Sequence, residues 1–191
     1  MRMATLASNP AYRTVSAEEF VEMNFGDAKA ELVDGFIYMM VGGTVSHAAI
    51  QANLVGSLWS RLRGSGCRPF GSDMAVKTGE LNVRYPDVSV YCNDPARPEN
   101  AGQKFLGDPR VVIEVLSPST ATHDQVVKLA EYQALAGIDT ILFVDPERQQ
   151  VRVVQRTGLE GWSDNWLVAG ADVVLPSLEI AVPHVEIFAV D

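Results

Sequence analysis

The sequence predicts an α/β fold: a central mixed β-sheet flanked by two main helices, with a short N-terminal helix and a β-hairpin ahead of them. Three observations predict it. The stretch "SHAAIQANLVGSLWSRLRGSG" from Ser46 places apolar residues at Ala49, Ile50, Leu54, Leu58 and Leu62, a helical period closed by glycines. "DPRVVIEVLSPST" is nearly continuous in valine, isoleucine and leucine, as a central strand would be. "AELVDGFIYMMV" alternates about an Asp34-Gly35 pair, the strongest short hairpin signal.

The elements then follow in order. Residues 1–15 read as a loose lead-in and residues 16–191 as a single domain. "SAEEFVEM" opens with Ser16 as N-cap and Glu19 three residues on, a capping box for a short helix. After the hairpin and the long helix come three strand-like segments, "CRPFGSDMAVKTG", "NVRYPDVSVYC" and "DPRVVIEVLSPST", expected as neighbours around one sheet. "ATHDQVVKLAEYQALAG" reads as the second main helix, with Thr120 or Thr122 as N-cap and Gly137 just past its end. "DTILFVDPERQQVRVVQR" gives two strands around a Pro146 turn, and "VVLPSLEIAVPHVEIF" supplies short closing segments.

Composition narrows the function classes. The 191 residues are 47% hydrophobic and 20% charged, ordinary for a globular domain. No apolar run approaches the roughly 18 residues of a membrane span. The start "MRMATLASNPAYRT" lacks the apolar region of a secretory signal, so a cytoplasmic protein without membrane contact is expected. Cys67 and Cys92 have no metal-ligand spacing and read as small semi-buried residues without a disulfide. A net charge of −9 argues against a broad electrostatic grip on nucleic acid. Only four lysines, Lys29, Lys77, Lys104 and Lys128, stand against eleven arginines, so a role needing an ammonium has few candidates.

Two acids sit where strands should be apolar. Asp87 follows Pro86 at the head of a β-branched run in "VRYPDVSVYC", and Glu114 stands between Val112, Ile113, Val115 and Leu116. A carboxylate in such a setting costs free energy unless something binds it. If the two segments pair, both acids present oxygens to one point, a donor set that suits Mg²⁺ or Mn²⁺. The competing explanation for Glu114 is a buried acid satisfied by an arginine. On the second main helix, Asp124, Lys128 and Tyr132 fall at i, i+4 and i+8 and line one face, with Val126, Val127, Leu129, Ala130 and Ala134 on the packing side. That polar line is equally what a solvated face with an Asp124–Lys128 pair would show.

The succession "ELVDG", "SH" opening a helix, "YPDVSVY", "VVIEVLSPST", an aspartate and a lysine on a helix, then "AGI" and "FVDP" resembles the Uma family of the PD-(D/E)XK nuclease superfamily. The match runs from about Glu31 to Asp145. The resemblance implies a restriction-endonuclease-like core in which Asp87 and Glu114 hold a divalent metal. The superfamily pattern puts lysine two residues after the second acid, where Leu116 stands here, and the family pattern moves it to the following helix, matched by Lys128. Glu31 matches an early acid that completes the metal shell, or is an ordinary strand-end glutamate. His47, with Gln51 one turn on, would orient a phosphate or a water, or bond a neighbouring loop. Asp73 and Asp145 match further acids, Asp73 as a candidate third ligand and Asp145 as a residue shaping the Pro146 turn. His123 and His184 have no comparable context.

The resulting expectation is a Mg²⁺-dependent endonuclease cutting DNA, working as a homodimer. A nuclease-like fold with a binding or assembly role is the alternative, favoured by the −9 charge. Hydrolysis of a smaller phosphate ester would use the same residues. Arg61, Arg63, Arg68, Arg84 and Arg110 lining one face would favour DNA, and their dispersal the binding role.

Overall fold

The structure, a computed structural model, describes residues 13–117 and 123–190. Most of the expected lead-in, residues 1–12, lies outside the described residues, as do Thr120 and Thr122, the two expected caps of the second main helix. From the lead-in's described end, the Val15 amide donates to the Gly35 carbonyl, 3.0 Å away.

Helix α1 (Ala17–Val21) carries the complete Ser16–Glu19 capping box. Strands β1 (Ala30–Val33) and β2 (Phe36–Met39) form the antiparallel hairpin about Asp34 and Gly35, both with positive φ. Helix α2 (Val45–Leu62) starts at Thr44, whose hydroxyl accepts the His47 amide and so satisfies one of the free N–H groups of the first turn. Strands β3 (Arg68–Gly71), β4 (Val76–Gly79), β5 (Asn82–Arg84), β6 (Val88–Tyr91) and β7 (Val111–Val115) follow. Helix α3 (His123–Ala134) leads to β8 (Thr140–Asp145), β9 (Gln150–Arg156) and β10 (Trp162–Leu167), and the chain closes with β11 (Val173–Leu175), β12 (Ile180–Val182) and α4 (His184–Ile187).

The expected single sheet is replaced by two main ones. A four-stranded antiparallel sheet runs β2-β1-β5-β4, and a six-stranded mixed sheet runs β10-β9-β8-β7-β6-β3, with β11 and β12 paired apart. Two segments that read as continuous strands each break in the middle. "CRPFGSDMAVKTG" becomes β3 in one sheet and β4 in the other, and "NVRYPDVSVYC" becomes β5 and β6 in the same way. In the second, the break falls at Tyr85-Pro86-Asp87, where proline has no N–H to give a ladder. Asp87 thus stands at the crossing between the sheets.

Within the larger sheet only β7 and β8 run parallel, joined through α3, while β6 and β7 are antiparallel with Val88 opposite Ile113. Both faces are covered, which explains the nearly continuous apolar run of β7. Ile50, Leu54, Leu58 and Leu62 of α2 pack with Val88, Val90, Ile113 and Val115 on one side. Val112, Ile141, Phe143 and Val154 pack under α3 on the other, with Tyr132 and Leu129. α1 and the small sheet share a third cluster about Phe20, Leu32 and Val83.

Two expectations are overturned here. Cys67 and Cys92 form a disulfide. Arg68 pairs with Tyr91, so the antiparallel register brings the cysteines face to face at the end of the β3–β6 ladder, a juxtaposition that 25 residues of separation conceal. On α3 the packing side is corrected in part: Leu129 packs inward as expected, but Val126, Ala130 and Ala134 are exposed, whereas Lys128 and Tyr132 point inward. Lys128 and Tyr132 turn inward because carboxylates await them there.

Candidate active site

The register that sets Val88 opposite Ile113 brings Asp87 beside Glu114 at one end of the β6–β7 ladder. Asp87 is held from two sides. Its Oδ2 accepts the Val115 amide at 2.7 Å, and its Oδ1 lies 2.8 Å from His47 Nε2. α2 supplies that histidine from its first turn, and Gln51 one turn on donates to the Asp87 carbonyl at 2.8 Å, fixing the backbone of the break. The hydrogen bond with Asp87 raises the His47 pKa above the usual imidazole value, against the opposing effect of burial.

Glu114 is buried beneath α3. Its Oε1 accepts the Tyr132 hydroxyl at 2.6 Å and the Lys128 ammonium at 3.1 Å. Burial raises its pKa, Lys128 only partly offsets that effect, and Asp87 and Glu31 add smaller upward contributions. Burial alone would push Lys128 down, but the attraction of Glu114 and Glu31 prevails and holds it well above the ordinary lysine value, so it stays charged.

Glu31 enters from β1, with Oε1 3.2 Å from Lys128. The same oxygen accepts the Tyr85 amide at 3.3 Å, and Oε2 accepts from Arg84 at 3.1 Å. Arg84, buried on β5, also grips Glu131 of α3 through two hydrogen bonds of 2.8 and 2.6 Å. A chain of charges therefore runs Glu131–Arg84–Glu31–Lys128–Glu114, tying the small sheet to α3 and both to the central strand.

The structure brings together Asp87, Glu114, Lys128, Glu31, His47 and Tyr132. It does not bring in Asp73, which is 93% exposed and paired with Lys29 at 2.6 Å. Asp124 lies in the first turn of α3, and its side chain falls outside the described residues. Asp145 caps the turn after β8 by accepting the Glu147 and Arg148 amides. His184 is buried, its Nε2 2.8 Å from the Gln149 carbonyl. The roles of Arg84 and Glu131 as the outer links of this chain were missed in the sequence, although a charged residue inside a short strand three positions before Asp87, and an acid one turn from Lys128, were legible signals.

Four of the five arginines singled out in the sequence have local partners of their own. Arg61 pairs with Glu186, Arg84 is enclosed between two glutamates, Arg110 pairs with Asp139, and Arg68 stacks over Trp59 at 4.3 Å. Arg63 is exposed.

The donor set has the chemistry of a hard-cation site. The two carboxylates stand side by side, Asp87 raising the cost of ionising Glu114, and a divalent cation would relieve that repulsion. Among the described residues no group of three or more His, Cys, Asp and Glu side chains is placed to hold a metal, so waters would fill the remaining positions, as Mg²⁺ prefers. Both oxygens of Glu31 face cations or an amide, as both oxygens of Asp87 face His47 and the Val115 amide, so a cation bound at either carboxylate would have to displace one of these partners.

Known proteins match this chain across most of its length. An uncharacterised protein of Synechocystis, slr1290, is 29% identical over 161 residues, covering 82% of this chain and 83% of the relative. A second from the same organism, sll1609, is 28% identical over 135 residues, covering 70% and 76%. A crystal structure from Anabaena variabilis, described as a "putative nuclease belonging to DUF820", superposes with a TM-score of 0.76 at 21% identity over 92% of this chain and 98% of that one, and so shares its fold. No helix among the described residues is long and apolar enough to cross a membrane. The family model Uma2, described as "Putative restriction endonuclease", matches residues 17–183, and the chain belongs to that family.

Proposed function

We propose that this protein is a Mg²⁺- or Mn²⁺-dependent endonuclease that hydrolyses phosphodiester bonds in DNA. The observation that supports it most is the meeting of Asp87 and Glu114 at one end of the β6–β7 ladder, with the Lys128 ammonium 3.1 Å from Glu114. In this reading Asp87 and Glu114 hold the cation, which when bound polarises a phosphoryl oxygen and makes a water more acidic. Lys128 keeps its proton and offers a compact positive charge to the attacking oxygen or the charge that develops on phosphate. Tyr132 and Glu31 orient Glu114 and Lys128, and His47 with the Val115 amide fixes the carboxylate of Asp87. The lysine absent at Leu116 is thus supplied from α3.

Cleavage of supercoiled plasmid and of duplex and single-stranded oligonucleotides, titrated with Mg²⁺ and Mn²⁺, tests the reading. Metal-dependent nicking by the wild type and none by Asp87→Ala supports it. No cleavage by the wild type with any substrate would turn the balance to a nuclease-like binding module. That second reading draws on the neutralised arginines: Arg61, Arg84 and Arg110 all have acidic partners, which leaves little free charge for a DNA groove.

A further inference from the structure

Strand β2 is the outer strand of the four-stranded sheet, and all four of its residues, Phe36, Ile37, Tyr38 and Met39, are exposed and apolar. Its inner edge is used. The Met40 amide donates to the Lys29 carbonyl, so with Glu31 opposite Tyr38 and Val33 opposite Phe36 the alternation of an antiparallel ladder turns the backbone of residues 36, 38 and 40 toward β1. The N–H and C=O groups of Ile37 and Met39 then point to the open side, and no hydrogen bond to them is found among the described residues. Sheets ordinarily protect such an edge with a lysine, a proline, a bulge or a covering element. None of the first three is present on β2, and no Asp, Glu, Lys or Arg occurs from Phe36 through Ser60.

We propose that β2 is a docking edge for a second copy of this chain, joining two four-stranded sheets into one of eight. The absence of charge favours a copy over other occupants. Two chains of net charge −9 repel each other as wholes, and this segment, which carries no Asp, Glu, Lys or Arg, lets two copies meet without setting like charges against each other. It equally offers nothing to a phosphate backbone. The edge is self-complementary: a two-fold axis at Tyr38 sets Ile37 opposite Met39 of the other copy, so each pair exchanges two backbone hydrogen bonds and the two Tyr38 side chains meet as a close, non-hydrogen-bonded pair. The accessible parts of the strand's four residues and of Val41, 94% exposed, come to at most on the order of 500 Å² per copy. Edge pairing covers only the part that faces the partner strand, so the backbone hydrogen bonds carry the contact.

The arrangement bears on the reaction proposed above, and this step rests on that reading. Antiparallel pairing about an axis normal to the sheet keeps like faces on one side. Tyr38 shares a face with Glu31, so the two Glu31 residues would look to the same side, about 14 Å apart across three strand spacings. Two centres could then address one duplex together.

Light scattering on the full chain after gel filtration tests the interface without metal or DNA, so its outcome is independent of any cleavage assay. The wild type should have twice the 20.8 kDa mass of the chain. Met39→Pro removes an N–H on the open side while sparing the ladder to β1, and Tyr38→Lys sets two ammonium groups against each other. Each should halve the mass with the circular dichroism unchanged. If Met39→Pro fails to fold, Tyr38→Lys, at an exposed side chain, decides alone. Tyr38→Cys should yield a cross-linked dimer under mild oxidation on non-reducing gels. A monomeric wild type, a dimer that survives Tyr38→Lys, or no Tyr38→Cys cross-link overturns the proposal; a monomer that captures an added extended peptide would give the edge to a peptide instead.

Discussion

Lys128 shows how a side chain's neighbours decide what it can do. Its side chain is 15% exposed and lies 3.1 Å from Glu114 and 3.2 Å from Glu31, so its charge is compensated on two sides. Removing it leaves two buried carboxylates facing each other, a loss on the order of 3 kcal/mol for a broken buried pair. Lys128→Ala should therefore abolish metal-dependent cleavage and also lower the urea midpoint, whereas a lysine on a solvated face would leave stability within about 0.5 kcal/mol. Lys128→Arg should recover part of the stability and little of the activity, because a planar guanidinium cannot place its charge where a compact ammonium sits. Equal midpoints for wild type and Lys128→Ala would place the side chain outside this cluster.

At the scale of elements, the site depends on how the small sheet is fastened to α3. Arg84 makes that link from β5, reaching Glu31 of β1 and Glu131 of α3, and Thr78 of β4 adds a 2.7 Å bond to Glu131. Arg84→Met should destabilise by about 3–5 kcal/mol, since it strands two buried acids at once. Arg84→Lys should restore less than half of that, because one ammonium cannot fork between two carboxylates as the guanidinium does. Urea melts of the three proteins check both statements. The same elements explain why a strand reading of residues 68–92 succeeds locally and fails globally. Propensity identifies β-forming runs on either side of Pro86, but whether two such runs share a sheet depends on what lies opposite them.

For the molecule as a whole, the Cys67–Cys92 bridge fastens the edge strand β3 to β6, at the end of β6 remote from Asp87. Closing a loop of 25 residues stabilises a fold by about 3 kcal/mol in the chain-entropy account. Reduction with a phosphine, or Cys67→Ser with Cys92→Ser, should then lower Tm by roughly 6–12 °C for a chain of this length. An unchanged Tm on reduction would mean that the pair is already open in solution, as a reducing compartment would keep it.

The sequence by itself determined the kinds of element and the identity of the central acids. Helical period, the Asp34-Gly35 turn and the apolar run of β7 each encode local geometry, and an acid within an apolar strand announces a partner wherever the strand goes. The family was legible too, because its motifs keep their order along the chain. Tertiary structure decided the rest. It split one expected sheet into two at Pro86, turned Lys128 and Tyr132 inward, left Asp73 in solvent with Lys29, and set Cys67 against Cys92. Each of these outcomes depends on residues dozens of positions away. The inward turn of α3 is the clearest case: hydrophobicity alone assigns Val126 and Ala130 to the packing side, and the ammonium that is buried instead has its charge compensated by Glu31 and Glu114 beneath the helix.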